Sequence, residues 1–153
     1  MLEVLTLLNK VERVSRLFDL DTFAGVPGLW VEMNADSSIK NVVANTPAKI
    51  NKMLFNGVSD NAYESNDTKA GRVTTIESYG VRCKVDSAGY DGTVNLGDDL
   101  VVSTADGSEG KLVSVAETSE TGTYEVVARC EEVNADEGWI IFRTVSPTYV
   151  TLS

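Results

Sequence analysis

Between Thr93 and Val145 the chain carries four short apolar segments separated by glycine-marked turns, and no other feature restricts its fold as much. The segments are Asp99–Thr104, Lys111–Val115, Thr123–Val133 and Gly138–Val145. Runs of this length, rich in β-branched residues and bounded by glycines, predict a compact all-β unit. Ala105-Asp106-Gly107-Ser108-Glu109-Gly110 reads as the loop of a hairpin joining the first two segments. In the third, period-2 alternation puts Val126, Ala128 and Cys130 on one face and Val127 and Arg129 on the other. Gly138-Trp139-Ile140-Ile141-Phe142 is the most apolar stretch of the protein and predicts a central strand covered on both faces. Pro147 is expected to end that strand, leaving Tyr149–Leu152 for an edge. The fold class expected is mainly β: a compact barrel-like or sandwich-like domain of short antiparallel strands, with an amphipathic helix or arm at its N-terminus.

The helix is read from Met1–Leu20, where Val4, Leu7, Leu8, Val11, Val14 and Phe18 recur at spacings of three and four. Such a segment either packs on its own domain or docks on a neighbouring subunit. Ala24-Gly25-Val26-Pro27-Gly28 breaks the pattern. The domain expectation is therefore a helical arm over residues 1–24 and one β-rich domain over 25–153. Leu29–Met33 and Ile39–Val43 read as a hairpin around Asn34–Ser37. An irregular polar excursion follows at about 45–70, holding one short strand at Lys52–Phe55. Arg72–Asp86 reads as the longest strand. Val81, Cys83 and Val85 alternate with Arg82, Lys84 and Asp86, and Gly80 marks a bulge or bend.

Charge excludes several functions. With 23 acidic and 13 basic residues the formal net charge is −10, which opposes coating of nucleic acid and docking to an anionic membrane. No apolar run reaches the length of a membrane-spanning helix, and no signal-peptide pattern is expected at the N-terminus. Cys83 and Cys130 lack metal-ligand spacing and read as small buried residues, with a bridge open only if their strands pair.

The chain has no histidine, which removes the commonest general base and metal ligand. No glycine cluster forms a phosphate loop or a dinucleotide fingerprint. Carboxylate neighbours occur at Asp19/Asp21, Asp86/Asp91, Asp98/Asp99 and Glu131/Glu132, but Asp19–Trp30 fails the calcium-loop pattern. In so acidic a chain these read as solvated turn residues. The expectation is no catalytic residue, no metal and no cofactor.

One family resemblance is carried by Val94-Asn95-Leu96-Gly97-Asp98-Asp99-Leu100-Val101-Val102, Asp106-Gly107, Gly110-Lys111-Leu112-Val113, Val126-Val127-Ala128-Arg129 and Trp139-Ile140-Ile141-Phe142-Arg143. This succession resembles the small β-rich decoration, or cement, proteins of tailed-bacteriophage capsids, in which a "v-G-d-x-L" segment leads to a strand, a turn leads to "G-k-L", and a "v-v-a" strand precedes the last one. Gly28-Leu29-Trp30-Val31-Glu32 is similar to an early "G-l-w-v" strand of the family. The resemblance implies a non-enzymatic virion protein that binds the major capsid protein on the outside of the shell. It implies a homo-oligomer, commonly a trimer, made in the host cytoplasm. Contact candidates under this reading are Leu7, Val11, Val14, Phe18 and Trp30, which serve equally well as core. The alternatives are another virion β module (tail, adaptor or baseplate) and a carbohydrate-binding β domain.

Overall fold

The computed structural model describes residues 1–6, 11, 13–19, 26–36, 38–45, 53–58 and 70–153. Among them are strands and turns but no helix: β1 (Leu2–Val4), β2 (Arg13–Asp19), β3 (Trp30–Met33), β4 (Ile39–Asn41), β5 (Met53–Val58), β6 (Ala70–Ile76), β7 (Arg82–Asp86), β8 (Asp99–Val102), β9 (Leu112–Ser114), β10 (Gly122–Asn134) and β11 (Trp139–Leu152). The mainly-β expectation holds.

The N-terminal helix is a correction. Leu2–Val4 is a strand on the edge of the main sheet, paired with β7. Arg13–Asp19 is a strand paired residue for residue with Ala70–Ile76. Val14 and Phe18 lie four apart, and that spacing puts two residues on one face of a strand as well as of a helix. The long-range ladder to β6 supplied the backbone partners and decided between the two. The boundary at residue 24 lies outside the described residues.

Six strands form an antiparallel sheet in the order β1-β7-β11-β10-β8-β9. It is an open sheet, so the barrel expectation fails for the Thr93–Val145 region that prompted it. β2, β4, β3, β5 and β6 pair in that order, and β6 returns to β2. This second group makes a ring of pairings, but its β2–β4 link is parallel and consists of the single pair Phe18–Ile39. The expected hairpin at Leu29–Val43 is β3–β4, closed by the Asn34 amide donating to Ser38 O at 2.8 Å. The expected short strand within the excursion is β5.

Arg72–Asp86 is two strands rather than one. β6 belongs to the ring and β7 to the sheet, and the chain turns between them at Gly80, whose φ is +78°. The alternation read for β7 is present: Val81, Cys83 and Val85 are fully buried, and Arg82, Lys84 and Asp86 are half-exposed.

β10 and β11 are the spine of the sheet, and their irregularities set which residues face where. Relative to β8, β10 carries one extra residue at Val127. A one-residue insertion exchanges the faces of everything beyond it. Tyr124 and Val126 therefore pack with Val101 and Val113 on one face, while Val127, Ala128 and Cys130 join the main core on the other. The single-face reading of Val126, Ala128 and Cys130 is thus corrected. Pro147 does not end β11, which runs on to Leu152. Val145, Ser146 and Pro147 stand opposite Val127 alone, where the ladder is already interrupted. A residue without an N–H is tolerated there.

The main core spans both groups of strands. Trp30, Val42, Leu54 and Ile76 of the ring region pack with Val85, Leu100, Leu112, Ile140 and Phe142 of the sheet. Burial of each large member is worth about 1.5–3 kcal/mol. Among the described residues, two backbone hydrogen bonds join the groups: the Asn45 amide donates to Thr104 O at 2.6 Å, and the Trp30 amide donates to Gly110 O at 2.8 Å. A Cβ on Gly110 would come within 2.7 Å of the Trp30 carbonyl oxygen, and its φ of +83° already excludes most side chains. The β8–β9 loop thereby clamps the start of β3.

Candidate interaction surface

The described residues present no reactive group in a working arrangement. Cys83 and Cys130 are free and buried. Both stand opposite Phe142, one on β7 and the other on β10, so β11 runs between them. Two strand spacings separate them by about 9–10 Å, beyond the reach of a disulfide. Burial pushes the Cys130 thiol up to about 11, which suppresses the thiolate that nucleophilic chemistry requires.

The carboxylate pairs are held in turns and ion pairs. Asp86 accepts from the Met1 ammonium at 2.8 Å and from the Ala88 amide at 3.1 Å. Asp98 accepts from the Asn95 amide at 2.9 Å and from Ser114 Oγ at 2.6 Å. Asp99 pairs with Arg129 at 3.2 Å. The side chains of Asp19 and Asp21 lie outside the description. The shifts run against acid catalysis. The Met1 ammonium lowers Asp86, the Ser108 hydroxyl lowers Asp91, and Arg143 followed by Arg82 lowers Glu131. A general acid working near neutrality needs the opposite shift. No group of three metal-donor side chains occurs among the described residues.

Three surface features remain. The first is a polar cleft of about 230 Å³ between the Asp91–Thr93, Ser103–Ser108 and Ser114–Glu120 segments. Glu120 accepts from Ser103 Oγ and, at 3.1 Å, from the Thr104 amide; Asp91 accepts from Ser108 Oγ. Its polar groups are thus largely engaged with one another. The nearest aromatic ring, Tyr124, is buried and hydrogen-bonded to Thr104 at 3.0 Å.

The second is the charged outer face of β7, β11 and β10. The insertion at Glu131 disturbs the β10–β11 register and brings both Glu131 and Glu132 to the arginines. Glu131 accepts from Arg82 at 3.0 Å and from Arg143 at 2.8 Å, and Arg82 also pairs with Glu132. Lys84 Nζ lies 4.4 Å from the centre of the Trp139 ring. The sequence set Arg82 on the side of its strand away from the valines; it did not place Arg143, nor the bulge that delivers two successive glutamates to the arginines.

The third is the far end of β11. There Thr148, Tyr149 and Thr151 are exposed, and Val150 and Leu152 are partly covered.

The contact residues expected from sequence do not gather on any of these. Leu7 lies outside the described residues. Val11 is half-buried against the main core, and Val14 is half-buried on β2. Phe18 is enclosed with Val31 and Ile39, and Trp30 is 4% exposed in the main core, its Nε1 without a hydrogen-bond partner among the described residues. Phe18 and Trp30 thus act as core, leaving their rings almost no surface to offer a partner.

No family model matches the chain, and neither a curated protein nor a solved structure matches it.

Proposed function

We propose that this protein is a structural component of a virion: a decoration protein that binds the outside of a tailed-phage capsid and stabilises the mature shell. One observation carries the reading. The segments that resemble that family are scattered over Val94–Arg143 in sequence, yet their strands stand side by side as β9-β8-β10-β11 in one sheet. The acidic surface and the self-satisfied carboxylates support a role that makes and breaks no bond.

The mechanism under this reading is mass action. A protein that binds only the expanded lattice stabilises it by its own binding free energy, and many copies arrayed with the lattice symmetry add through avidity. The partner is the major capsid protein. Phe18 and Trp30 are buried and have little surface to give a partner, so the contact surface proposed is the exposed polar faces and loop tips.

The experiment is to mix purified protein with undecorated mature heads and count bound copies by sedimentation. Saturable binding at a fixed number of copies per head is the expected result, together with greater resistance of the heads to heat. Heads that sediment bare at every concentration end the proposal. Glycan binding by the isolated protein would favour the carbohydrate alternative, which the absence of an exposed aromatic ring in the polar cleft disfavours.

A further inference from the structure

Free sheet edges invite pairing with other chains, and folded proteins cover, shorten or charge them. The main sheet protects two of its edges. β9 is three residues long, and its outer side is bonded by the stretch before it: the Leu112 amide donates to Gly89 O at 3.0 Å and the Asp91 amide to Leu112 O at 2.9 Å. β1 is also three residues long and carries Glu3.

The third edge is different. β7 pairs with β11 only over Trp139–Arg143, and the last backbone bonds on that side are those of Thr144 with Gly80 and Val81. From Thr148 to Leu152, β11 is paired with β10 on one side, and among the described residues no backbone bond reaches the other. Its sequence from Thr144 to Ser153, Thr-Val-Ser-Pro-Thr-Tyr-Val-Thr-Leu-Ser, contains no charge, in a chain where 24% of residues are charged. The one acidic side chain opposite it on β10, Glu125, is 3% exposed.

We infer that this edge pairs antiparallel, about a two-fold axis, with the same edge of a second copy of the chain. The occupant follows from charge. Two copies each bearing −10 repel wherever their ordinary surfaces meet; the uncharged strip lets them approach without opposing like charges. The register proposed centres the two-fold axis on Val150, which keeps each residue on its own face. With Val150 on the axis, Tyr149 stands opposite Thr151 and Thr148 opposite Leu152. Aromatic–β-branched pairs of this kind stabilise antiparallel strands. Val150 and Leu152 are half-covered members of the outer cluster formed by Val101, Val113, Tyr124 and Val126. Pairing across the axis joins the two clusters and covers both residues. Such an isologous contact closes on itself and does not propagate into fibres. It does not depend on the capsid reading.

Sedimentation equilibrium of the purified full chain over a wide concentration series tests it. A reversible monomer–dimer equilibrium is expected. Thr151→Glu and Thr151→Lys alter an exposed position and each should weaken the dimer roughly tenfold or more while leaving the circular dichroism and Tm of the monomer unchanged. Mixed together, the two variants should form a heterodimer. Val150→Cys should cross-link on oxidation, and Tyr149→Cys should do so far less. A wild-type chain that stays monomeric throughout, a trimer, or a dimer indifferent to both Thr151 variants overturns the inference. A monomer that still saturates phage heads overturns it alone; a dimer that ignores heads overturns the capsid reading alone.

Discussion

The two halves of β11 present one strand in two circumstances. Trp139–Arg143 is flanked by β7 and β10, and Ile140 and Phe142 are fully buried. Beyond Thr144 the same strand loses one neighbour, and Tyr149 is 64% exposed. The inner half reads in the sequence as a continuous apolar run, the outer as apolar alternating with Thr and Ser. The difference teaches that strand composition records how many neighbours a strand has; here the interrupted ladder at Val145–Pro147 falls at the same change.

The largest test of that contrast is Phe142→Ala. The ring lies between Cys83 and Cys130 with no exposure, so truncation should cost about 3–5 kcal/mol, read as a drop in denaturant midpoint with unchanged slope. A loss under about 1 kcal/mol would mean that the inner half is not the centre of the core.

Thr144→Val probes the junction. The Thr144 hydroxyl donates to Ser78 O at 2.9 Å and accepts from the Val81 amide at 3.0 Å, at 4% exposure. Valine keeps the shape but removes both hydrogen bonds, for an expected loss of about 1–3 kcal/mol. Thermal unfolding of the variant would measure it. A neutral result would show that β11 parts from β7 without needing this side chain.

Glu131→Gln tests the outer face of the inner half and should cost under about 1 kcal/mol, since the ion pairs are partly solvated. Arg143 and then Arg82 lower the folded-state pKa of Glu131. Its contribution is therefore complete above the unfolded carboxylate value of about 4.3 and is lost as pH falls through the lower folded value. Wild type should lose that increment between neutral pH and strong acid, and the glutamine variant should lack it. Parallel pH–stability curves for the two proteins would remove the ion pairs from the account.

The smallest effect belongs to the outer half. Tyr149→Ser should change monomer stability by no more than about 0.5 kcal/mol. A larger loss, measured at concentrations where the protein is monomeric, would show that the exposed edge is covered within a single chain.

Much of the sheet was legible because its signals are local. Val81, Cys83 and Val85 alternate over one strand, and the Gly107–Gly110 loop joins β8 to β9 as the turn chemistry required. The ring was legible only in its β3–β4 hairpin and in β5. The residues of β2 match a helical period and a strand period equally, and only the pairing with β6, more than fifty residues away, separates them. The Val127 insertion was hidden for a similar reason: an extra residue is defined by its partner strand, and Val126-Val127-Ala128 looks the same with or without one. Of the candidates read as either contact or core, Phe18 and Trp30 proved to be core; an apolar side chain reads alike in sequence whether it meets a second protein or its own core.

The sequence by itself determined that this chain builds strands, that Trp139–Phe142 is central, and that histidine takes no part in whatever it does. Those conclusions need only composition, alternation and turn residues. The tertiary structure decided which strands neighbour one another, which face each residue of β10 takes, that Phe18 and Trp30 lie inside, and that β11 ends on an open, uncharged edge. Each of these depends on backbone pairing between distant segments, and a hydrogen-bonding peptide group carries no mark in the sequence of which partner it will find.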